Sequence, residues 1–165
     1  MVVEGGGVEA LVNFLTHIDP TIKEAGAWGL DYIARHNAEL AQSVVDFQAV
    51  PYLIICTQEP ELPVKRIAVS VLANICKHTP ELAQKIVDAD GVRLVSRLLE
   101  SSDIFLKRQV ACFLAQVAKH SHDNALITAN HIVLPKILDC LRSVQDSYVL
   151  INSCTFVRVV ANHGQ

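Results

Sequence analysis

Aromatic residues are scarce in this chain: five Phe, three Tyr and one Trp, or 5% of 165 residues. The apolar mass is therefore mostly Ala, Val, Ile and Leu, which suits closely packed helices. An excess of one charge is also missing. Lys and Arg number 14 against 17 Asp and Glu, a net charge of −3, so no global field draws nucleic acid or an anionic membrane. Phe residues, Tyr52 and Tyr148 are scattered along the chain and suggest no base-stacking platform. No apolar run reaches the ~20 residues of a membrane span. Met1-Val2-Val3-Glu4-Gly5-Gly6-Gly7 lacks the zones of a signal peptide, which leaves the cytoplasm as the expected compartment. Cys-x-x-Cys spacing is absent. The five cysteines (Cys56, Cys76, Cys112, Cys140 and Cys154) sit in apolar stretches, as core fillers in a reducing compartment do, not as a disulfide framework or a zinc site. Gly5-Gly6-Gly7 is followed by no Gly-Lys-Ser/Thr, and no Gly-x-Ser-x-Gly or other nucleophile motif occurs. Nothing points to an enzyme or to a cofactor.

What is present is a repeat. His36, His78 and His120 each follow a basic residue (Arg35, Lys77 and Lys119) and stand forty-two residues apart. His163 follows after forty-three. The same pitch links Lys23, Lys65 and Lys107; Glu4, Asp46 and Asp88; and Asp19, Glu61 and Asp103, with Asp146 the shifted fourth member. Independent positions agreeing on one period are the mark of a repeat architecture.

Each unit reads as three helical pieces. After the basic-His pair comes a helix-capping residue: Asn37, Thr79 or Ser121. A short helix follows over Ala38–Asp46, Pro80–Asp88 and, more weakly, about 123–130. Gly7 and Gly91, with their equivalents Ala49 and Val133, mark the bend into a second helix. There Leu11, Leu15, Leu53, Val95, Leu99, Ile137 and Leu141 recur at helical spacing. The third helix is the longest: about 21–35, 64–77, 104–119 and 148–162. Gly26 and Gly29 within it read as sites of close helix approach. A unit of this length cannot bury its apolar faces alone, and stacked neighbours cover one another. The expected fold is all-α: a right-handed superhelical solenoid of about four three-helix repeats, near 1–36, 37–78, 79–120 and 121–163.

Specific stretches sharpen this. Gly7-Val8-Glu9-Ala10-Leu11-Val12 and Ala25-Gly26-Ala27-Trp28-Gly29-Leu30-Asp31-Tyr32-Ile33-Ala34 resemble the armadillo consensus. More narrowly, residues 33–46 (IARHNAELAQSVVD) and 77–89 (KHTPELAQKIVDA) are similar to the sperm-associated antigen six family of axonemal central-pair proteins. The likeness is strong from about Gly7 to His120 and thins afterwards. It implies a non-enzymatic protein-binding scaffold in the cytoskeleton of the cilium or flagellum, needed for motility, and a central fragment of a longer array. Its partners would be axonemal components. Open array ends would be apolar and uncapped, which predicts self-association.

The resemblance also implies where partners bind. Armadillo proteins lay extended peptides along a concave groove lined by third helices, and the best-known members grip the peptide backbone with Trp and an Asn four residues on. The matching positions here are Trp28 with Tyr32, Ser70 with Asn74, Cys112 with Gln116, and Thr155 with Val159. Only Trp28 and Asn74 fit, and the acids that a nuclear-import receptor needs are not expected there. One turn before and two turns after, a helix returns to nearly the same face. Those positions carry Glu24, Arg66, Arg108 and Ile151, then Arg35, Lys77, Lys119 and Asn162, with His36, His78, His120 and His163 beside the second set. This face is the candidate protein-binding site, a cationic stripe for an acidic extended segment such as a tubulin tail. The competing reading is that these bases meet helix-end carbonyls. A catenin-like or transport-type cytosolic adaptor is the alternative function. The repeated histidines do not suggest a metal, because helices ~8–10 Å apart cannot bring them within ~2 Å of one ion.

Overall fold

A computed structural model describes residues 6–130 and 132–163. The expectations resting on Met1–Gly5, including the Glu4 register, and on Gly164-Gln165 lie outside the described residues. Among the described residues there are eleven α-helices and no strand: α1 (Gly7–Phe14), α2 (Pro20–His36), α3 (Ala38–Asp46), α4 (Ala49–Cys56), α5 (Leu62–Cys76), α6 (Pro80–Asp88), α7 (Gly91–Ser96), α8 (Ile104–Ala118), α9 (His122–Thr128), α10 (Val133–Ser143) and α11 (Ser147–His163).

Local chemistry sets the helix starts. Asn37, Thr79 and Ser121 accept backbone N–H bonds from Leu40 (2.8 Å), Leu82 (3.3 Å) and Asn124 (3.0 Å). Each bond satisfies a donor that an opening helix leaves orphaned. Asp19 and Asp103 cap α2 and α8 in the same way. Pro20 and Pro80 stand where a missing N–H costs nothing.

The bend into the second helix falls one residue earlier than the glycine pattern suggested. Gly6 (φ 75°), Gln48 (φ 60°) and Asp90 (φ 62°) take the left-handed conformation, while Gly7, Ala49 and Gly91 open the helices themselves. Gly91 has a packing reason instead: a Cβ there would sit 2.6 Å from Ile86 Cγ2 and 2.9 Å from the Ile86 carbonyl oxygen. The fourth unit turns differently. Ile132 keeps φ at −95°, as a β-branched residue must. Asn130 Oδ1 accepts from the N–H groups of Ile132 and Val133 at 2.9 and 3.0 Å.

The second helix of the third unit is shorter than its periodicity implies. It ends at Ser96 and continues as a 3-10 turn over Arg97–Glu100. The buried Ser96 hydroxyl donates to the Arg93 carbonyl (3.1 Å), a back-bond that bends helices.

The long helices α2, α5, α8 and α11 pack in sequence, each on the next, with the short helices around them. One core runs through the stack and includes Leu30, Leu53, Leu72, Leu114, Phe113 and Phe156. Burying each such side chain contributes about 1.5–3 kcal/mol. Gly26 and Gly29 are close-approach sites. A Cβ on Gly26 would lie 2.7 Å from Phe14 Cβ, and one on Gly29 2.7 Å from Leu11 Cδ2. All five cysteines are free thiols. Cys56, Cys76 and Cys140 are buried fillers, but Cys112 is half-buried and Cys154 is exposed. Cys154 shares its register with Ala27, Val69 and Ala111, which are fully buried. Those three are covered by the following unit, and no described helix lies over Cys154.

Candidate functional site

Residues of α2, α5 and α8 line a single cavity of about 280 Å³, so the third helices form the walls of a groove. Trp28, Pro63, Ile67 and Phe105 supply its apolar surface; Glu24, Arg66, Ser70 and Gln109 supply the polar part. Trp28 and Phe105 are half-exposed, at 47% and 51%. Phe105 was not among the residues expected here, and the aromatics are less scattered than they look in sequence. Pro63, Phe105 and Tyr148 hold one register position in successive units. Comparing that position across the repeat would have revealed them.

The expected stripe of five cations divides in two. Arg66 donates through Nε to Asp103 Oδ1 (2.9 Å) and through Nη2 to Asp103 Oδ2. Arg108 makes the same two-pronged contact with Asp146. Forked guanidinium–carboxylate pairs of this kind are strong and directional. Each aspartate also accepts N–H groups at the start of its own helix: Asp103 from Leu106 and Asp146 from Tyr148 and Val149. One carboxylate thus caps a third helix and clamps the arginine of the unit before. The arginines hold Asp103 and Asp146 below the usual carboxylate range. The same arginines interleave with rings. Arg66 Cζ lies 5.1 Å from the Phe105 centroid, and Arg108 Cζ lies 4.8 Å from Phe105 and 4.9 Å from Tyr148. Both arginines of this edge are thus paired with carboxylates.

The other edge keeps its charge. Among the described residues no carboxylate pairs with Arg35, Lys77 or Lys119. Arg35 stacks over Tyr32, 4.0 Å from the ring centroid. Lys77 Nζ donates to the Arg35 carbonyl (2.7 Å), and Lys119 Nζ donates to the Lys77 carbonyl (2.6 Å) and to Gln116 Oε1 (2.6 Å). His78 Nε2 donates to the Ala34 carbonyl (2.7 Å) and His120 Nε2 to the Cys76 carbonyl (2.5 Å). The recurring basic-His pair therefore satisfies the last carbonyls of the third helix one unit earlier, groups that a helix leaves without partners. His36 is exposed. Burial, above all, pushes the Lys119 ammonium and the His120 imidazole below their ordinary values.

Besides Glu24, one acid not expected beside this face is found there. Asp31 is buried on α2, and its Oδ1 accepts from Ser70 Oγ and from Asn74 Nδ2, both at 2.9 Å. The amide of Asn74 is thereby committed to the fold at the position where the family would use it on a peptide. Glu24 accepts the Trp28 indole N–H at 3.3 Å. The side chains of Asp31, Ser70 and Asn74 come from neighbouring units, a convergence that one repeat's sequence cannot show.

Among the described residues no group of three or more His, Cys, Asp or Glu could hold a metal ion, and no helix is long and apolar enough to cross a membrane.

No protein-family model matches the chain, and no curated protein matches it either. Solved structures do. An engineered protein from a structural genomics consortium is 25% identical with a TM-score of 0.94, over 98% of this chain and 66% of its own. A second engineered protein from that source is 26% identical with a TM-score of 0.90, over 99% of this chain and 70% of its own. A designed armadillo repeat protein in complex with the peptide (KR)4 is 18% identical with a TM-score of 0.90, over 99% of this chain and 72% of its own. The chain thus spans about two thirds of the length of these structures. The fold is an armadillo-type all-α solenoid. None of these matches bears on the ciliary resemblance.

Proposed function

We propose that this chain is a non-enzymatic scaffold that binds an extended protein segment along the groove of its third helices. The observation that carries the reading is the row of Arg35, Lys77 and Lys119, on successive units with no carboxylate partner among the described residues. Cations arranged at helix-to-helix spacing favour an acidic segment, and a tubulin tail is one such chain. The designed armadillo protein bound to (KR)4 lends support to peptide binding by this fold, with ligand charge opposite to that favoured here. Computationally designed armadillo proteins for modular peptide recognition, 20% identical with a TM-score of 0.90, lend the same support.

The biological setting we propose is the central apparatus of the ciliary or flagellar axoneme, with the protein a structural component needed for beating. The support is sequence likeness over residues 33–46 and 77–89. A tagged copy in a flagellated cell should follow the axoneme through detergent extraction. Its loss into the soluble fraction would sink the ciliary assignment and leave a catenin-like cytosolic adaptor as the better account of the cationic groove edge. Binding of Glu-rich peptides should weaken steeply as salt rises, and a salt-independent affinity would remove the acidic-segment reading.

A further inference from the structure

The cavity and the charged edge belong to the same groove but have opposite chemistry. Within the cavity three of the four polar side chains are engaged by the fold, and Gln109 is the fourth. Glu24 holds the Trp28 indole, Arg66 is forked to Asp103, and Ser70 donates to Asp31. The apolar lining is the Trp28 and Phe105 rings, Pro63 and the side chain of Ile67. An apolar occupant gains the burial of both surfaces. The volume of about 280 Å³ holds one large side chain.

The charged edge lies further along the same helices. Trp28 and Arg35 are separated by two turns of α2, a rise of ~10 Å. Lys119 lies beside Lys77, whose carbonyl its ammonium meets, and a carboxylate arriving there would face both cations.

Resting on the groove reading above, we propose that the bound segment is amphipathic. One bulky apolar side chain enters the cavity between Trp28 and Phe105, while carboxylates of the same segment meet Arg35, Lys77 and Lys119.

The test uses three dye-labelled, unstructured peptides read by fluorescence anisotropy. The first is Glu-rich with a single central Leu, the second has Ser for that Leu, and the third has Lys for every Glu. The Leu peptide should bind the parent protein at least about tenfold more tightly than the Ser peptide. Trp28→Ala, a change at a half-exposed ring, should abolish that difference between the Leu and Ser peptides. Arg35→Glu should weaken both Glu peptides alike. Equal affinity of the parent for the Leu and Ser peptides, or a difference that survives Trp28→Ala, overturns the amphipathic occupant while the acidic-segment reading stands. Failure to bind either Glu peptide, or preference for the Lys peptide, overturns both.

Discussion

The third and fourth units share one register but are built to different standards. Where the third unit places Leu82 and Ile86 in its core, the fourth has Asn124 and Thr128, equally buried. Asn124 Oδ1 and the hydroxyl of the buried Ser153 have no hydrogen-bond partner. His120 meets its carbonyl at 2.5 Å, whereas His163 meets the Lys119 carbonyl at 3.4 Å, shifted by the extra residue in the last unit. Yet α11 still docks on α8, and Arg108 still forks onto Asp146. Stacking is therefore carried by the contacts between units, and it tolerates a weakened interior within one of them. Stability in such an array is roughly the sum of unit and interface terms. The fourth unit should open first.

The largest test of this contrast removes the same ring from each unit. Phe113 and Phe156 occupy equivalent, fully buried positions. Phe113→Ala should cost about 3–5 kcal/mol and lower the main denaturant transition. Phe156→Ala should instead release α9–α11 locally, seen as fast amide exchange confined to that segment. If both variants shift one common transition equally, the two units are not distinct. Gly91→Ala should destabilise by about 1–3 kcal/mol by overpacking against Ile86. The same residue type is already native at Ala49, so Ala49→Gly should not be the mirror-image gain. Thermal unfolding reads both.

Repairing the fourth unit should raise its stability. Asn124→Leu, which restores the residue type of the other units, removes an unpaired buried polar atom and should gain about 1–2 kcal/mol. Slower exchange in α9 would confirm it, and unchanged exchange would show that Asn124 is satisfied in solution. Acid sharpens the comparison from the other side. Asp103 and Asp146 titrate lower when folded than unfolded, so their contribution is intact above the unfolded carboxylate value of ~4 and is lost as pH falls through the folded one. Asp103→Asn should flatten that acid limb of a stability–pH curve. The smallest effect belongs to His120. Its folded value is depressed by burial, so the stabilisation is complete above the unfolded value of ~6.5 and declines below it. His120→Gln should remove the decline, measured by denaturant midpoint between neutral and mildly acidic pH.

Much of this was legible in the chain. Asn37, Thr79 and Ser121 announced helix starts, and a cap acts through its own three or four residues. The third helices lie within two residues of where their apolar spacing put them, because periodicity is a local property of the helix. Charge partners were not legible. Arg66 and Asp103 are separated by most of a repeat, and nothing in either neighbourhood says that one neutralises the other. The position of Phe105 beside Trp28 skips a whole unit, and Asp31 reads as a surface acid until Ser70 and Asn74 are brought onto it.

The sequence by itself determined the pitch, the helices, their caps and the need for each unit to be covered by another, since all of these follow from backbone hydrogen bonding and apolar periodicity within one repeat. Tertiary structure alone decided which cations are paired with a carboxylate and which are not. Two residues some forty positions apart meet only when one unit is laid on the next, and whether a cation finds a carboxylate or only a carbonyl there depends on that superposition.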